Sequence, residues 1–241
     1  MKNQNTKNHF MEGAKDSLPI VIGYFSVSFT FGIMAAKAGF SPWIATLISI
    51  TNVTSAGQFA GLTLMVAQAS YLEIFLTELV INLRYGLMSL SLSQRLSDSV
   101  TTGKRLLIAF ANTDEIFAVS VSKPHKVTSA YMAGLEIFPI LGWTAGTLSG
   151  AVATSLLPPF VQSALGVALY GMFIAIVLPP ARAHRPIALV SLLAAVLSLS
   201  FTYLPGLNRI SAGFSIILCT LIAAGVGAFF WPIPDNKEDD S

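Results

Sequence analysis

Six ionisable side chains lie inside otherwise apolar stretches of this sequence, and they define the chemistry open to it. They are five acids and one arginine: Glu73, Glu78, Arg84, Asp114, Glu115 and Glu136. A charge in the hydrocarbon core of a bilayer costs free energy and is rarely kept without a function. The pattern therefore predicts a transport path through a membrane rather than the active site of a soluble enzyme.

The composition indicates an integral membrane protein. Hydrophobic residues make up 54% of the 241 residues and charged residues only 11%, whereas a soluble domain carries about 25% charged residues. The net charge is only +2, and the basic residues stand between apolar runs rather than in one patch, which argues against a nucleic-acid partner. Because Cys219 is the single cysteine, the chain alone cannot build a disulfide framework or a thiolate metal cluster. We expect neither a metal nor a cofactor.

The apolar residues fall into about eight runs, each near the roughly 20 residues that a helix needs to cross a bilayer. The predicted segments are 18–36, 43–67, 71–93, 106–122, 129–153, 159–178, 186–204 and 210–231. We therefore predict an all-α, polytopic membrane helical bundle with about 7–8 hydrophobic segments, some of them broken or re-entrant. Residues 1–234 would form one transport domain in the lipid bilayer, and residues 235–241 a short charged tail.

The positions of the basic residues indicate which loops face the cytoplasm, but the loops on the two sides of the fourth segment give conflicting indications. Basic residues flank this segment on both sides and also follow the sixth segment: Arg95, Lys104, Arg105, Lys123, Lys126, Arg182 and Arg185. Loops rich in lysine and arginine prefer the cytoplasm, so a crossing fourth segment would place two basic clusters on opposite faces. Either the rule fails here, or residues 106–122 form a re-entrant, membrane-buried element. The side of the N-terminus stays open.

The second segment contains the clearest interruption of an apolar run. Hydroxyl and amide side chains gather around two glycines in Thr51-Asn52-Val53-Thr54-Ser55-Ala56-Gly57-Gln58-Phe59-Ala60-Gly61. Glycine allows the backbone to unwind, and freed amides and carbonyls would then bind the carboxylate and ammonium of a small zwitterion. Alternatively, the glycines only allow close helix contact. The candidate substrate contacts are Ser55, Gly57, Gln58, Phe59 and, from the third segment, Asn82.

Five of the six ionisable residues are assigned to proton coupling or to a polar network: Glu78, Arg84, Asp114, Glu115 and Glu136. Glu78 and Asn82 share one helix face, whereas Arg84 points elsewhere, so we expect Arg84 to pair with Asp114 or Glu115 on another segment. Such a pair is either structural or functional. Two adjacent carboxylates in an apolar setting resist ionising together, which would suit proton coupling. A re-entrant tip in contact with water would explain the same two acids without it.

The fifth segment combines Glu136 with Gly142, Gly146 and Gly150, which recur at a spacing of four. This spacing is typical of closely packed membrane helices, while Glu136 joins the candidates for proton coupling. A weak internal sequence similarity also suggests that the chain consists of two halves, about 10–95 and 129–205. Such halves would be inverted repeats with the binding site at their interface.

Several motifs together resemble a known family. They are Phe10-Met11-Glu12-Gly13, Pro19, Gly23, Phe31-Gly32, Ala36, Gly39, Ser55-Ala56-Gly57-Gln58-Phe59, Asn82-Leu83-Arg84-Tyr85 and Asp114-Glu115. Over residues 10 to about 205 the chain resembles the AzlC family, the large subunit of bacterial branched-chain amino-acid export permeases. The resemblance implies an exporter of valine, leucine, isoleucine and, as a further candidate, methionine. It also implies the bacterial cytoplasmic membrane, the proton motive force and a small AzlD-type membrane subunit.

One position departs from the family pattern, and two other classes of function compete with export. Tyr85 stands where the family pattern has histidine, and tyrosine does not titrate near neutral pH as histidine does. A passive channel or structural membrane subunit would not depend on a proton gradient. A membrane-embedded hydrolase would use Asp114 and Glu115 as paired acids, but the usual hydrolase motifs are absent from the sequence. We therefore expect a transporter and not an enzyme.

Overall fold

The computed structural model describes residues 2–232, apart from the side chains of residues 2–5 and of several residues between 159 and 176. The charged tail predicted over 235–241 lies outside the described residues. Within residues 2–232 the chain forms no strand and ten α-helices: α1 (Lys2–Lys37), α2 (Pro42–Thr51), α3 (Ser55–Val66), α4 (Tyr71–Arg95), α5 (Thr102–Phe110), α6 (Asp114–Val121), α7 (Ser129–Ala153), α8 (Pro159–Ala183), α9 (Arg185–Tyr203) and α10 (Ala212–Phe230). The predicted all-α membrane bundle is confirmed.

Helices α1 and α7 run parallel and touch along their length, because glycines bring the two backbones together. A Cβ atom on Gly32 of α1 would collide with the backbone of Thr147 and Ala151 on α7. Equally, a Cβ atom on Gly150 of α7 would collide with the backbone of Phe29 on α1. The packing role predicted for the glycine row of the fifth segment is therefore confirmed.

The second predicted segment is a re-entrant hairpin and not a crossing helix. Its two helices, α2 and α3, are separated by a break at residues 52–54, and we call the unit over residues 42–66 hairpin A. The Phe59 ring of α3 lies 5.4 Å from the Phe31 ring near the C-terminal end of α1, so α3 returns towards the face where α2 entered. The predicted interruption within residues 51–61 is confirmed, and Asn52 lies at its tip. The unwinding expected around Gly57 and Gly61 is wrong, because both glycines lie inside α3.

The fourth predicted segment is a second re-entrant hairpin, which enters from the opposite face. Helices α5 and α6 contain 9 and 8 residues, which is only about 12–14 Å each at a rise of about 1.5 Å per residue. The backbone ends of this unit meet, since the Ser97 amide donates to the Val127 carbonyl at 2.9 Å. Lys126 also forms an ion pair with Asp98 at 2.8 Å. We call residues 102–121 hairpin B; the re-entrant interpretation of residues 106–122 is correct.

The two hairpins remove the conflict between the basic clusters. Four helices among the described residues are long and apolar enough to cross a membrane, namely α1, α7, α9 and α10, and α4 and α8 have the same 25-residue length as α7. These six helices are counted as crossings. Both ends of hairpin B, the α8–α9 connection and the N-terminus then lie on one face of the membrane. The basic residues of the predicted clusters all lie there, so the positive-inside rule assigns this face to the cytoplasm.

A candidate transport site between two hairpin tips

A cavity of about 230 Å³ lies where the tips of the two hairpins meet, and we call it the central cavity. Three crossing helices and both hairpins contribute to its lining: Tyr24, Val53, Ser55, Ala56, Ile81, Arg84, Tyr85, Thr113, Asp114, Glu115 and Trp143. Broken backbone at membrane depth is tolerated where it lines a cavity or is buried in protein. The position of both breaks therefore marks the central cavity as the candidate site.

The Arg84 guanidinium forms an ion pair with the Asp114 carboxylate, which joins the middle of α4 to the tip of hairpin B. This confirms that Arg84 pairs with an acid from another segment. The Arg84 guanidinium also donates to the Tyr85 hydroxyl at 3.0 Å and lies 4.7 Å from the centre of the Tyr85 ring. Tyr85 thus holds the arginine in place, which is a role that tyrosine fills without titrating near neutral pH.

Tyr24 of α1 connects the second acid of hairpin B to an aromatic wall. Its hydroxyl donates to Glu115 Oε2 at 2.6 Å and is also hydrogen-bonded to the Thr113 hydroxyl. The Tyr24 and Trp143 rings make an edge-to-face contact with centroids 5.3 Å apart. Both aromatic residues were absent from our sequence-based candidates, because neither a charge nor a recognisable motif singles them out.

Gln58 lies behind the central cavity in a buried hydrogen-bond chain. Its side-chain oxygen accepts from Trp143 Nε1 at 3.1 Å, and its amide nitrogen donates to the Ser49 hydroxyl at 2.6 Å. Ser49 and Thr147 share a further hydrogen bond of 2.6 Å. This chain ties both helices of hairpin A to α7, so Gln58 positions Trp143 in the cavity wall. Direct contact between Gln58 and a substrate stays a prediction.

Gly57 and Gly61 face α4 and leave room for a carboxylate. A Cβ atom on Gly57 would lie 2.5 Å from Glu78 Oε2 and 3.0 Å from the Asn82 amide nitrogen. A Cβ atom on Gly61 would lie 2.9 Å from Glu78 Oε1. Asn82 in turn donates to Glu78 Oε2 at 2.9 Å, as their shared helix face predicts. The two glycines therefore let hairpin A close over Glu78.

Of the predicted substrate contacts, Ser55 lines the central cavity. Phe59 is buried in an apolar cluster with Phe31 and Leu62, and Asn82 lies with Glu78 beside the cavity. Among the acids, Glu73 is buried at the outer end of α4, where its carboxylate accepts from the Gly213 amide at 2.9 Å. Glu136 is also buried, below the cavity on α7. The functional roles of these residues stay predictions.

The first turn of α3 borders the central cavity and lacks a side-chain cap. Thr54, the N-cap residue, makes no side-chain hydrogen bond to that turn; its hydroxyl donates to the Asn52 side chain at 2.9 Å instead. Ser55 and Ala56, which follow it, line the cavity. An uncapped helix N-terminus carries free amides and a partial positive charge, so it favours a carboxylate ligand.

A more apolar pocket of about 350 Å³ adjoins the central cavity, and we call it the side pocket. Residues of α1 form most of the wall of this pocket, which is lined by Pro19, Ile20, Gly23, Tyr24, Val27, Ser55, Glu115 and Trp143. Four of these residues also line the central cavity: Tyr24, Ser55, Glu115 and Trp143. Polar groups at one end and apolar groups at the other suit a small amphipathic molecule.

A family model described as AzlC protein matches residues 19–157 of this chain. The chain belongs to the AzlC family. That match contains α2 to α7 and the C-terminal half of α1, and therefore both hairpins and the central cavity. The family resemblance found in the sequence motifs is confirmed.

Relatives of AzlC type occur in bacteria and archaea. The inner membrane protein YgaZ of Escherichia coli (strain K12) is 33% identical over 237 residues, which cover 94% of each chain. An uncharacterized membrane protein of Archaeoglobus fulgidus is 33% identical over 208 residues, covering 86% of this chain and 91% of its own length. No solved structure matches the chain. Together with the apolar helices, these relatives show that it is a multi-pass membrane protein.

Proposed function

We propose that this AzlC-family protein exports branched-chain amino acids, namely valine, leucine and isoleucine, and also methionine, across the bacterial cytoplasmic membrane. The proton motive force would drive export, and a small AzlD-type membrane subunit would take part. One observation carries the proposal: the central cavity places charges of both signs between two broken helices, directly beside an apolar pocket. A zwitterion with an apolar side chain requires this combination.

The polar end of the cavity has separate partners for the two charges of an amino acid. The carboxylate would bind the uncapped first turn of α3 at Ser55 and the guanidinium of Arg84. The ammonium would bind Glu115, whose carboxylate also accepts from Tyr24. Asp114 would keep Arg84 oriented through their ion pair. Every group in this arrangement already lines one cavity.

The side pocket would receive the amino-acid side chain. Ile20, Val27 and the Trp143 ring supply apolar surface, while Gly23 leaves its wall open, since nothing lies within 4 Å of a Cβ atom placed there. A branched aliphatic side chain buries enough apolar area in such a pocket to contribute about 1.5–3 kcal/mol. Polar side chains would lose hydration without finding a partner.

The accessibility of the charged groups supports a second membrane subunit. Arg84 and Asp114 side chains are 46% and 45% exposed, and Glu115 is also exposed, although all three lie at mid-membrane depth. Lipid cannot solvate such groups, because hydrocarbon offers no hydrogen-bond partner. A small apolar subunit packed over the exposed side of the central cavity would separate these charges from lipid.

Efflux of labelled leucine, isoleucine, valine and methionine from cells lacking other exporters tests the proposed function. The chain should support efflux together with the small subunit, and efflux should stop when the proton gradient collapses. Tyr24→Phe should slow efflux, while the matched control Tyr203→Phe, which alters a tyrosine that is 75% exposed, should not. Efflux that continues without a gradient would instead favour the passive channel.

A further inference from the structure

Among the described residues, two carboxyl groups in the membrane helices have a buried oxygen without a hydrogen-bond partner. Glu136 is 7% exposed and its Oε1 is unpaired. The Oε1 atom of Glu78 is buried and unpaired as well, while its Oε2 accepts from Asn82 at 2.9 Å. The other described acids at membrane depth all have partners. Asp114 pairs with Arg84, Glu115 accepts from Tyr24, and Glu73 accepts from the Gly213 amide.

The two unpaired carboxyls lie on opposite sides of the central cavity. Glu78 precedes Arg84 by six residues on α4, which places it about 9 Å towards the outer face at a rise of about 1.5 Å per residue. Glu136 precedes Trp143 by seven residues on α7, which places it about 10 Å towards the cytoplasm. One unpaired acid therefore stands in each half of the membrane.

Each of these carboxyls also faces one re-entrant hairpin. Glu78 lies against Gly57 and Gly61 of hairpin A. Glu136 lines a cavity of about 330 Å³, which we call the inner cavity, together with Leu107 and Ile108 of hairpin B. Lys104 and Ser129 line the cytoplasmic end of the inner cavity. A movement of either hairpin would therefore change the surroundings of one acid.

We propose that Glu78 and Glu136 carry the coupling proton, Glu78 in the outer half of the membrane and Glu136 in the inner half. This inference rests on the proposed export function and assigns its ion path. An unpaired carboxylate at this depth is costly, and binding one proton to the unpaired oxygen makes the group neutral. The proton would enter at Glu78 from outside and leave from Glu136 to the cytoplasm, while an amino acid moves outward.

Among the described residues, no cation forms an ion pair with either acid. Around Glu78, hairpin A presents Asn52, Thr54 and the two glycines, and α10 carries no charged residue between 212 and 230. Around Glu136, Lys104 lines the same cavity but hydrogen-bonds to Ser129 at 3.5 Å. On α1, Glu12 and Asp16 are bound to Lys123, and His9 stands beside Glu12.

Labelling with a hydrophobic carbodiimide tests the two acids without any substrate. The reagent modifies protonated carboxyl groups in apolar surroundings, and mass spectrometry of peptides from the wild-type protein in membranes locates the modification. Glu78 and Glu136 should be modified, because each has one buried oxygen without a partner. Asp114, which is paired with Arg84, and Glu73, which accepts from the Gly213 amide, should not be modified. Modification of Asp114 or Glu115 with Glu78 and Glu136 unmodified would overturn the proposal even if leucine is transported.

Transport in proteoliposomes supplies the second test. Glu78→Gln and Glu136→Gln should each lower leucine transport driven by a pH gradient by about tenfold or more, with leucine–leucine exchange kept within about threefold. The matched control Glu73→Gln should keep both the gradient-driven transport and the leucine–leucine exchange. Gradient-driven transport within about twofold of wild type in both variants would overturn the proposal. Glu136→Asp, which keeps the carboxyl, should retain gradient-driven transport. Absence of leucine–leucine exchange by the wild-type protein would instead count against the proposed export function.

Discussion

Arg84 on crossing helix α4 is bound to Asp114 at the tip of hairpin B, so an arginine inside the bundle holds a re-entrant element in place. The pair is only half buried and lies in the wall of the central cavity. The pair therefore links α4 to hairpin B at a place that a bound carboxylate could also reach. This position connects the fold directly to the transport step.

Breaking the pair on one side should cost more than removing both charges. Arg84→Gln and Asp114→Asn each leave an unpaired charge at membrane depth, so each should destabilise the protein by about 1–3 kcal/mol. The double variant should be less destabilised than the sum of the two. Thermal unfolding of the four purified proteins in detergent measures this coupling, and strict additivity would show that the two side chains do not interact.

Gly57 should be intolerant of even one methyl group, unlike a glycine on the facing helix. A Cβ atom on Gly57 would lie 2.5 Å from Glu78 Oε2 and from the Thr54 hydroxyl, so Gly57→Ala should destabilise by about 1–3 kcal/mol. Gly86→Ala is the matched control, because nothing lies within 4 Å of its Cβ position; alanine there should be neutral or stabilising by up to about 1 kcal/mol. Equal effects in thermal unfolding would contradict this packing.

Both ends of hairpin B should be accessible from the same side of the membrane. In a Cys219→Ala background, single cysteines at Asp98 and His125 should react with a membrane-impermeant thiol reagent only after the cells are permeabilised. Gln68→Cys, in the exposed loop between hairpin A and α4, should react in intact cells. If Asp98→Cys and His125→Cys react from opposite sides, residues 106–122 cross the membrane and the topology is wrong.

The cytoplasmic ion-pair cluster around Lys123 should stabilise the protein over a wide pH range. Hydrogen bonds to Asp16 at 2.7 Å and Glu12 at 2.8 Å raise the pKa of Lys123 above its ordinary value. A raised lysine pKa gives stabilisation that is fully present below the ordinary pKa of about 10.4 and is lost as the pH rises beyond the raised pKa. Lys123→Gln should therefore cost about 1 kcal/mol equally at about pH 7 and about pH 9.

Lys126→Gln is the matched control for that cluster. Lys126 pairs with Asp98, and their side chains are 55% and 91% exposed, so its loss should change the free energy of unfolding by less than about 0.5 kcal/mol. Thermal unfolding of both variants at the two pH values measures the difference. A Lys123→Gln effect that vanishes at the higher pH would contradict the raised pKa.

Local sequence features predicted the interruptions and the pairing, because their physical causes are local. Polar residues and glycines inside an apolar run predict a break within residues 51–61, and the need to neutralise a membrane charge predicts that Arg84 pairs with Asp114 or Glu115. The fate of residues 106–122 was harder to predict, since an apolar run of that length is compatible with either a crossing helix or a re-entrant pair. Only the basic residues on both sides favoured the hairpin.

The cavity walls depend on tertiary packing, which a single sequence does not display. Tyr24 and Trp143 lie in apolar runs where an aromatic side chain has the same appearance whether it faces lipid, core or cavity. Gln58 was a reasonable substrate candidate as a buried amide beside a break, yet its hydrogen bonds go to Ser49 and Trp143. The predicted halves, 10–95 and 129–205, stay a prediction.

Leucine transport into proteoliposomes containing the purified chain, with and without the small subunit, tests the central claim most directly. The transport is measured under an imposed pH gradient and again after a protonophore removes it. We expect leucine to accumulate above its equilibrium level only with the gradient, and alanine substitution of Arg84 to abolish this accumulation. Simple equilibration of leucine that is insensitive to the gradient, or accumulation unchanged in Arg84→Ala, would contradict a coupled transporter built around the central cavity.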